Sequence, residues 1–136
     1  MRRLCSLLLV LAAAGCGSDK CTAPNRLEGT YTLKTINGTT PPVTLYDDPA
    51  TGEHADLVSG SMTMTSSGTF TAPWSFRITQ NGTTGPYSET CTGTFTRTGN
   101  HVVMDEVDNG SFCGGQFDAD WDGSDTFTEG NVVYHR

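Results

Sequence analysis

The chain has 136 residues, of which 35% are hydrophobic, and its 8 basic and 15 acidic side chains give a formal net charge of −7 at pH 7. This length suffices for one modest hydrophobic core and excludes two domains of ordinary size. The acidic balance excludes nucleic-acid binding, because a negative surface repels the phosphate backbone.

Residues 1–15 have the pattern of a secretory signal peptide. Two arginines give a positive start, an apolar run follows, and small residues precede Cys16. The apolar run is too short to cross a membrane as a helix. The stretch 11–16 also resembles the bacterial lipobox, although Ala13 stands where Leu is usual. The resemblance implies cleavage before Cys16 and lipidation of its thiol; the alternative is an ordinary signal peptide cut after an Ala-x-Ala-like site.

Lipidation of Cys16 implies a protein that is anchored to a bacterial cell envelope by its N-terminal acyl chains. Residues 16–26 then form a short tether, and Gly17, in place of an Asp retention signal, favours the outer membrane. Removal of the signal peptide leaves six of the eight basic side chains against 15 acidic ones. The acyl chains are the expected membrane attachment, because the mature chain has no basic amphipathic helix that would bind anionic lipid.

Residues 27–136 have the composition of an all-β domain. They are rich in Thr and Gly, show no helical spacing of apolar residues, and contain Asn-Gly and Asp-Gly pairs typical of hairpin turns. Alternating apolar and polar residues predict about eight strands, at 29–36, 43–46, 57–65, 69–79, 87–97, 101–107, 111–121 and 125–134, the last with an irregularity at Gly130. The short connections favour a closed antiparallel up-and-down barrel; a two-sheet sandwich is the alternative, but its long crossovers are not seen.

Three short segments resemble the small lipocalin-like lipoproteins of bacteria. These segments are 27–33, 93–102 and 132–136. Gly29-Thr30-Tyr31 resembles the Gly-x-Trp of the first lipocalin strand, with Tyr in place of Trp, and the resemblance places the cation Arg136 near it. It implies a lipocalin-like β-barrel domain over 27–136 that binds a small hydrophobic molecule.

The inward-facing side chains of the predicted strands define the expected ligand site. The candidate lining residues are Tyr31, Met64, Trp74, Phe76, Phe95, Phe117 and Trp121. Small inward residues, among them Gly60 and Gly93, leave room for one apolar ligand, although the aromatic side chains are also numerous enough to fill a small barrel. A cavity lined by Trp74, Phe76 and Trp121 favours a carrier of a small molecule. A filled barrel favours the alternative function, a protein-binding module such as an inhibitor or assembly factor.

One acidic segment fits a calcium-loop pattern. Asp118, Asp120, Asp122 and Glu129 occupy the acidic positions of the pattern, with Gly123 at the turn. Carboxylate oxygens are ligands that Ca²⁺ prefers. The segment does not follow a helix, as an EF-hand loop would, so the alternatives are a hairpin tip with solvated aspartates and calcium held at a β-hairpin. No other cofactor is predicted.

Three cysteines follow the predicted lipidation site: Cys21, Cys91 and Cys113. Tight turns between the predicted strands place Cys113 opposite Glu106, with one strand between Cys91 and Cys113. Ideal strands would separate their Cα atoms by about 9.6 Å, beyond the disulfide reach of about 7 Å. These two cysteines can bond only if the intervening strand stops short of Asp108; otherwise Cys21 bonds to one of them.

The sequence contains no recognisable catalytic pattern. Its three histidines lack the spacing of a zinc site, and neither a Gly-x-Ser-x-Gly turn nor a Cys–His pair is indicated. An enzymatic function is therefore not predicted.

Overall fold

The computed structural model describes residues 26–136. The predicted signal peptide, Cys16, Cys21 and the rest of the tether up to residue 25 lie outside the described residues. Within 26–136 the regular structure is β, and this part of the chain has no helix long and apolar enough to cross a membrane. The strands are β1 (Gly29–Ile36), β2 (Val43–Asp48), β3 (Glu53–Met64), β4 (Thr69–Gln80), β5 (Thr83–Thr98), β6 (His101–Glu106), β7 (Gly115–Trp121), β8 (Thr126–Glu129) and β9 (Val132–His135).

Eight of these strands close into an antiparallel barrel. From β3 to β9 each strand pairs with the next along the chain, and β1 closes the sheet by pairing with β9 on one side and β3 on the other. The β1–β3 ladder is short and runs from Gly29↔Met64 to Thr32↔Ser61. The predicted all-β, up-and-down barrel of about eight strands is confirmed.

Strand β2, predicted as a barrel strand, lies outside the closed barrel. It pairs only with residues 53–57 of β3, on the same edge that β1 occupies further along. The predicted final strand 125–134 is in turn a hairpin, since Gly130 has a φ of +53° and β8 pairs with β9 from Glu129↔Val132 onward. The barrel loses β2 from the predicted set and gains one strand where the predicted last strand divides into β8 and β9. The predicted number of barrel strands is therefore correct.

Inward-facing side chains fill most of the barrel interior. The buried core comprises Leu27, Tyr31, Leu33, Leu57, Met62, Met64, Phe70, Ala72, Phe76, Cys91, Val102, Met104, Cys113, Ala119, Trp121, Phe127 and Tyr134. Gly60 and Gly93 do not leave the space expected of them, because a Cβ on Gly60 would lie 2.5 Å from the Trp74 ring and one on Gly93 would lie 2.6 Å from the Phe70 ring. The Trp74 ring takes up the volume at Gly60, and the Phe70 ring and the backbone of Asp105 take up that at Gly93, so the expectation of free space at these two glycines is wrong.

Arg136 covers the end of the barrel at which β1 begins. Its Nη2 lies 2.7 Å from the Tyr31 hydroxyl oxygen and 2.9 Å from the carbonyl oxygens of Arg26 and Glu28. Its guanidinium carbon lies 4.8 Å from the centre of the Tyr31 ring. The Tyr31 hydroxyl donates to the Leu27 carbonyl oxygen at 2.9 Å. The proximity of Arg136 to Tyr31 that the resemblance implies is therefore present.

Cys91 of β5 and Cys113 form a disulfide, with their Cα atoms 5.3 Å apart. Strand β6 ends at Glu106, short of Asp108, so no strand separates the two cysteines. This is the condition under which the sequence allows the Cys91–Cys113 pairing, and the pairing is confirmed.

The loop 107–114 between β6 and β7 is longer than the predicted two-residue turn. Gly115, rather than Cys113, lies opposite Glu106, which corrects the predicted register by two residues. The Asn109 side-chain oxygen accepts the backbone N–H of Cys113 at 3.3 Å. This hydrogen bond and the disulfide fix the loop at the end of the barrel opposite Arg136.

Candidate ligand cavity

A cavity of about 380 Å³ lies at the end of the barrel opposite Arg136. It forms where β1, β6 and β8 end and where β7 and β9 begin, next to the loop 107–114. Its apolar lining comprises Ile36, Leu45, Leu57, Met62, Trp74, Phe112, Phe117, Val132 and Tyr134, and Glu106, Gly114 and Glu129 complete it. A mostly apolar concavity with a few polar groups is the usual form of a small-molecule site.

The structure brings part of the predicted ligand set to this cavity. Trp74 and Phe117 line it, and Phe76 lines a smaller apolar pocket beside it. The remaining four predicted residues pack elsewhere: Tyr31, Met64 and Trp121 are buried in the core, and Phe95 is half-buried against it. The guanidinium carbon of Arg97 lies 4.3 Å from the centre of the Trp121 ring. Trp121 does not line the cavity.

Glu106, Phe112, Glu129 and Tyr134 line the cavity but are absent from the predicted apolar ligand set, although the sequence indicates Glu129 as a candidate calcium ligand. Glu106, Glu129 and Tyr134 occupy inward positions that continue the alternation of β6, β8 and β9. The period of two is therefore the signal that identifies them. The residue type of Glu106 does not indicate a site, because carboxylates on a strand usually indicate a solvated face.

Two polar atoms in the cavity wall have no hydrogen-bond partner among residues 26–136. They are the Tyr134 hydroxyl oxygen and the Trp74 indole nitrogen Nε1. Tyr134 as a whole is 0% exposed. A buried polar atom without a partner costs about 1–3 kcal/mol of stability. Both side chains contribute to the cavity wall, and the two atoms themselves are covered by surrounding protein.

The cavity wall also carries two acidic side chains. Burial, followed by the charge of Glu106, raises the pKa of Glu129 to about 7. Glu106 accepts a hydrogen bond from the Gly114 backbone N–H at 3.0 Å. Burial and the charges of Glu129 and Glu106 raise the pKa of the Tyr134 hydroxyl, which therefore stays protonated at neutral pH. The polar part of the cavity is thus acidic.

Apolar side chains surround the mouth of the cavity. They line an adjoining pocket of about 180 Å³ and are here named the mouth cluster: Leu45, Ala55, Phe76, Ile78, Tyr87 and Phe112. Leu45, Tyr87 and Phe112 are 47%, 41% and 50% exposed. The Phe112 ring centre lies 5.1 Å from that of Phe76 and 6.0 Å from that of Trp74, so Phe112 connects the mouth cluster to the cavity wall.

Two further depressions, of about 390 and 580 Å³, lie over the sheet surface. Outward-facing polar residues such as Thr84 and Ser88 border the first, and Thr69 and Thr92 border the second. Neither contains one of the unpartnered buried polar atoms found in residues 26–136. The cavity at the barrel end is the better candidate for a specific ligand.

The residues of the predicted calcium loop are not brought together. Asp118 and Asp120 lie on the outer face of β7, with carboxylate oxygens 3.2 and 3.8 Å from the His101 ring nitrogens. Asp122 accepts two backbone N–H groups of its own turn, and Glu129 lines the cavity. No group of three or more metal-ligating side chains is found within residues 26–136. The hairpin-tip alternative fits this geometry, because alternation directs Glu129 to the inner side of the sheet.

No protein-family model, curated protein or solved structure matches this chain. The cavity and its surroundings are therefore the guide to function.

Proposed function

We propose that this protein is a lipid-anchored lipoprotein of a bacterial cell envelope, at the outer membrane, and that its lipocalin-like barrel binds one small, largely apolar molecule. The cavity of about 380 Å³ carries the proposal. An eight-stranded barrel has an interior wide enough for packed side chains or for one small ligand. In this barrel the Arg136 end is packed, and the opposite end holds the cavity with exposed apolar residues at its mouth.

The envelope assignment rests on residues 1–16, whose pattern supports a lipoprotein signal with Cys16 as the acylated residue. The Cys91–Cys113 disulfide supports an oxidising compartment. Intact mass spectrometry of the full chain expressed in a bacterium should find acyl chains on Cys16. Cys16→Ser should remove the acylation, and an unmodified Cys16 in the wild-type protein would contradict the assignment.

Native mass spectrometry tests the ligand. A soluble form that begins at residue 22 keeps every strand, both closing ladders of β1 and the disulfide. Exported to a bacterial periplasm and purified without detergent, it should carry a small apolar mass. Val132→Phe should remove that mass, because Val132 lines the cavity, whereas Val133→Phe, on the other face of β9, should keep it. A bare protein mass from several hosts would contradict the proposal.

The exposed mouth cluster favours a second candidate function, a protein-binding module such as an inhibitor or assembly factor. Large exposed apolar side chains that lie together are typical of protein–protein contacts. Under this alternative the wild-type protein carries no small molecule. Phe112→Ser would then weaken binding of a protein partner, whereas under the first proposal Phe112→Ser weakens retention of the small molecule.

A further inference from the structure

We propose that the molecule bound in the cavity carries a protonated amine, held by Glu106 and Glu129, and an apolar body that fills the rest of the cavity. This inference rests on the small-molecule function proposed above and specifies the chemical class of the ligand.

The two carboxylates belong to an otherwise apolar wall. Glu106 and Glu129 both line the cavity, at the inward ends of β6 and β8. In the described part of the chain neither pairs with a basic side chain, since the contacts there between basic and acidic side chains within 4 Å join only His54 and His101 to aspartates elsewhere. Neighbouring carboxylates in such a wall lose hydration and repel each other, and a cation between them relieves both costs.

The other groups of the wall suit an ammonium group as well. The Tyr134 hydroxyl lies beneath the cavity wall without a partner in residues 26–136, and its lone pairs would accept an ammonium N–H that reached it. Trp74, Phe112 and Phe117 line the same cavity, and aromatic rings attract cations. The Trp74 indole N–H is a donor only, so a second polar atom of the ligand with a lone pair would complete the site.

Charge disfavours the other classes of ligand, and volume limits the size of the ligand. An anionic ligand would meet two like charges in a poorly hydrated site, which is costly. A neutral ligand would leave the two carboxylates without a counter-charge. At about 30 Å³ for one water molecule, the volume of about 380 Å³ corresponds to roughly a dozen waters, which fits a small molecule.

Three probes with eight carbon atoms each separate these classes: octylamine, octan-1-ol and octanoate. Each is titrated by calorimetry into the soluble form that begins at residue 22, at pH 8, where octylamine is protonated and Glu129 is ionised. We expect octylamine to bind about tenfold more tightly than octan-1-ol, and octanoate to bind most weakly.

Matched variants test whether Glu129 and Glu106 cause the tighter binding of octylamine. Glu129→Gln and Glu106→Gln should each lower the affinity for octylamine about tenfold and leave octan-1-ol within about twofold. Asp105→Asn is the control, because Asp105 is exposed on β6 beside Glu106 and should leave the octylamine affinity unchanged.

Each outcome separates the two proposals. Octan-1-ol that binds as tightly as octylamine overturns the amine inference and leaves the carrier proposal standing. Octylamine affinity that falls in Asp105→Asn as much as in Glu129→Gln reflects surface attraction, and it also overturns the inference. Failure of all three probes to bind overturns the amine inference, whereas the small-molecule function is decided by the native mass spectrometry described above.

Discussion

Arg136 connects the last strand of the barrel to Tyr31 on the first: its Nη2 lies 2.7 Å from the Tyr31 hydroxyl oxygen, and its guanidinium carbon lies 4.8 Å from the centre of the Tyr31 ring. Tyr31 is on β1, and Arg136 follows β9 directly. The contact therefore reinforces the β1–β9 ladder and seals the packed end of the barrel.

Arg136→Ala should lower the free energy of unfolding by about 2 kcal/mol, because it removes a cation–π contact and charge-assisted hydrogen bonds. Urea unfolding of the soluble form measures the change. Arg77→Ala serves as the control, since Arg77 is exposed on β4. Equal effects of the two substitutions on the free energy of unfolding would contradict a specific stabilising role of the Arg136 contact.

The two fully buried tyrosines should respond oppositely to removal of their hydroxyls. Tyr134→Phe should raise the free energy of unfolding by about 1 kcal/mol, because the Tyr134 hydroxyl has no partner within residues 26–136. Tyr31→Phe should lower it by about 1 kcal/mol, because the Tyr31 hydroxyl bonds to Leu27 and Arg136. Thermal unfolding measures both, and changes of the same sign would contradict the expectation.

Glu129 should make the protein less stable as pH rises from about 4.5 to about 7. In that window the native carboxyl still holds a proton that the unfolded chain has released, so deprotonation favours unfolding; above the window the loss is complete. Glu106 and Tyr134 line the same cavity as Glu129, and the charge of Glu106 contributes to the raised pKa of Glu129. Because solvent still reaches it, we expect a total effect of only about 1–2 kcal/mol.

Glu129→Gln should match wild type near pH 4 and be more stable at pH 8. The measured quantity is the difference in the free energy of unfolding between the two proteins at each pH. The difference is needed because His54 also titrates: its hydrogen bond to Asp47, among other causes, raises the pKa of His54. A raised histidine pKa also removes stability as pH rises, in both proteins alike. Parallel stability curves for the two proteins would contradict the role assigned to Glu129.

The Cys91–Cys113 disulfide should support both stability and ligand retention. Replacing both cysteines with alanine should cost about 3 kcal/mol, because the bond closes a loop between residues separated by 22 positions. It should also speed ligand release, since Phe112 adjoins Cys113 and packs against Trp74. Native mass spectrometry and urea unfolding measure the two effects. Undiminished ligand occupancy in the double variant would show that the loop does not guard the cavity.

The local features of the fold could be predicted from sequence because they depend on neighbouring residues. Asn81 and Gly82 both have positive φ and join β4 to β5 in a two-residue turn, as the Asn-Gly pair indicates. Strand β4 spans nearly the predicted residues because its apolar and polar positions alternate. Lipidation, envelope location and the lack of catalysis stay predictions.

The cavity could not be predicted in the same way, because it depends on pairings between distant segments. The position of β2 follows from its competition with β1 for one edge of β3. The position of the loop 107–114 depends on the Cys91–Cys113 disulfide. The sequence leaves open whether these two cysteines bond to each other or whether Cys21 bonds to one of them. Gly60 receives the Trp74 ring, which only the β3–β4 register reveals.

Strand β1 has a consequence for the order of events in folding. It is the first of the nine strands to be synthesised, yet its ladder to β9 pairs Thr32 with His135 and Ile36 with Val132. Pairings between such distant residues form slowly, because closing the intervening chain costs entropy. The barrel therefore closes only after synthesis of the whole domain, and the cavity forms with it. Under the proposed function, the ligand is consequently acquired after the domain has been synthesised, not by the growing chain.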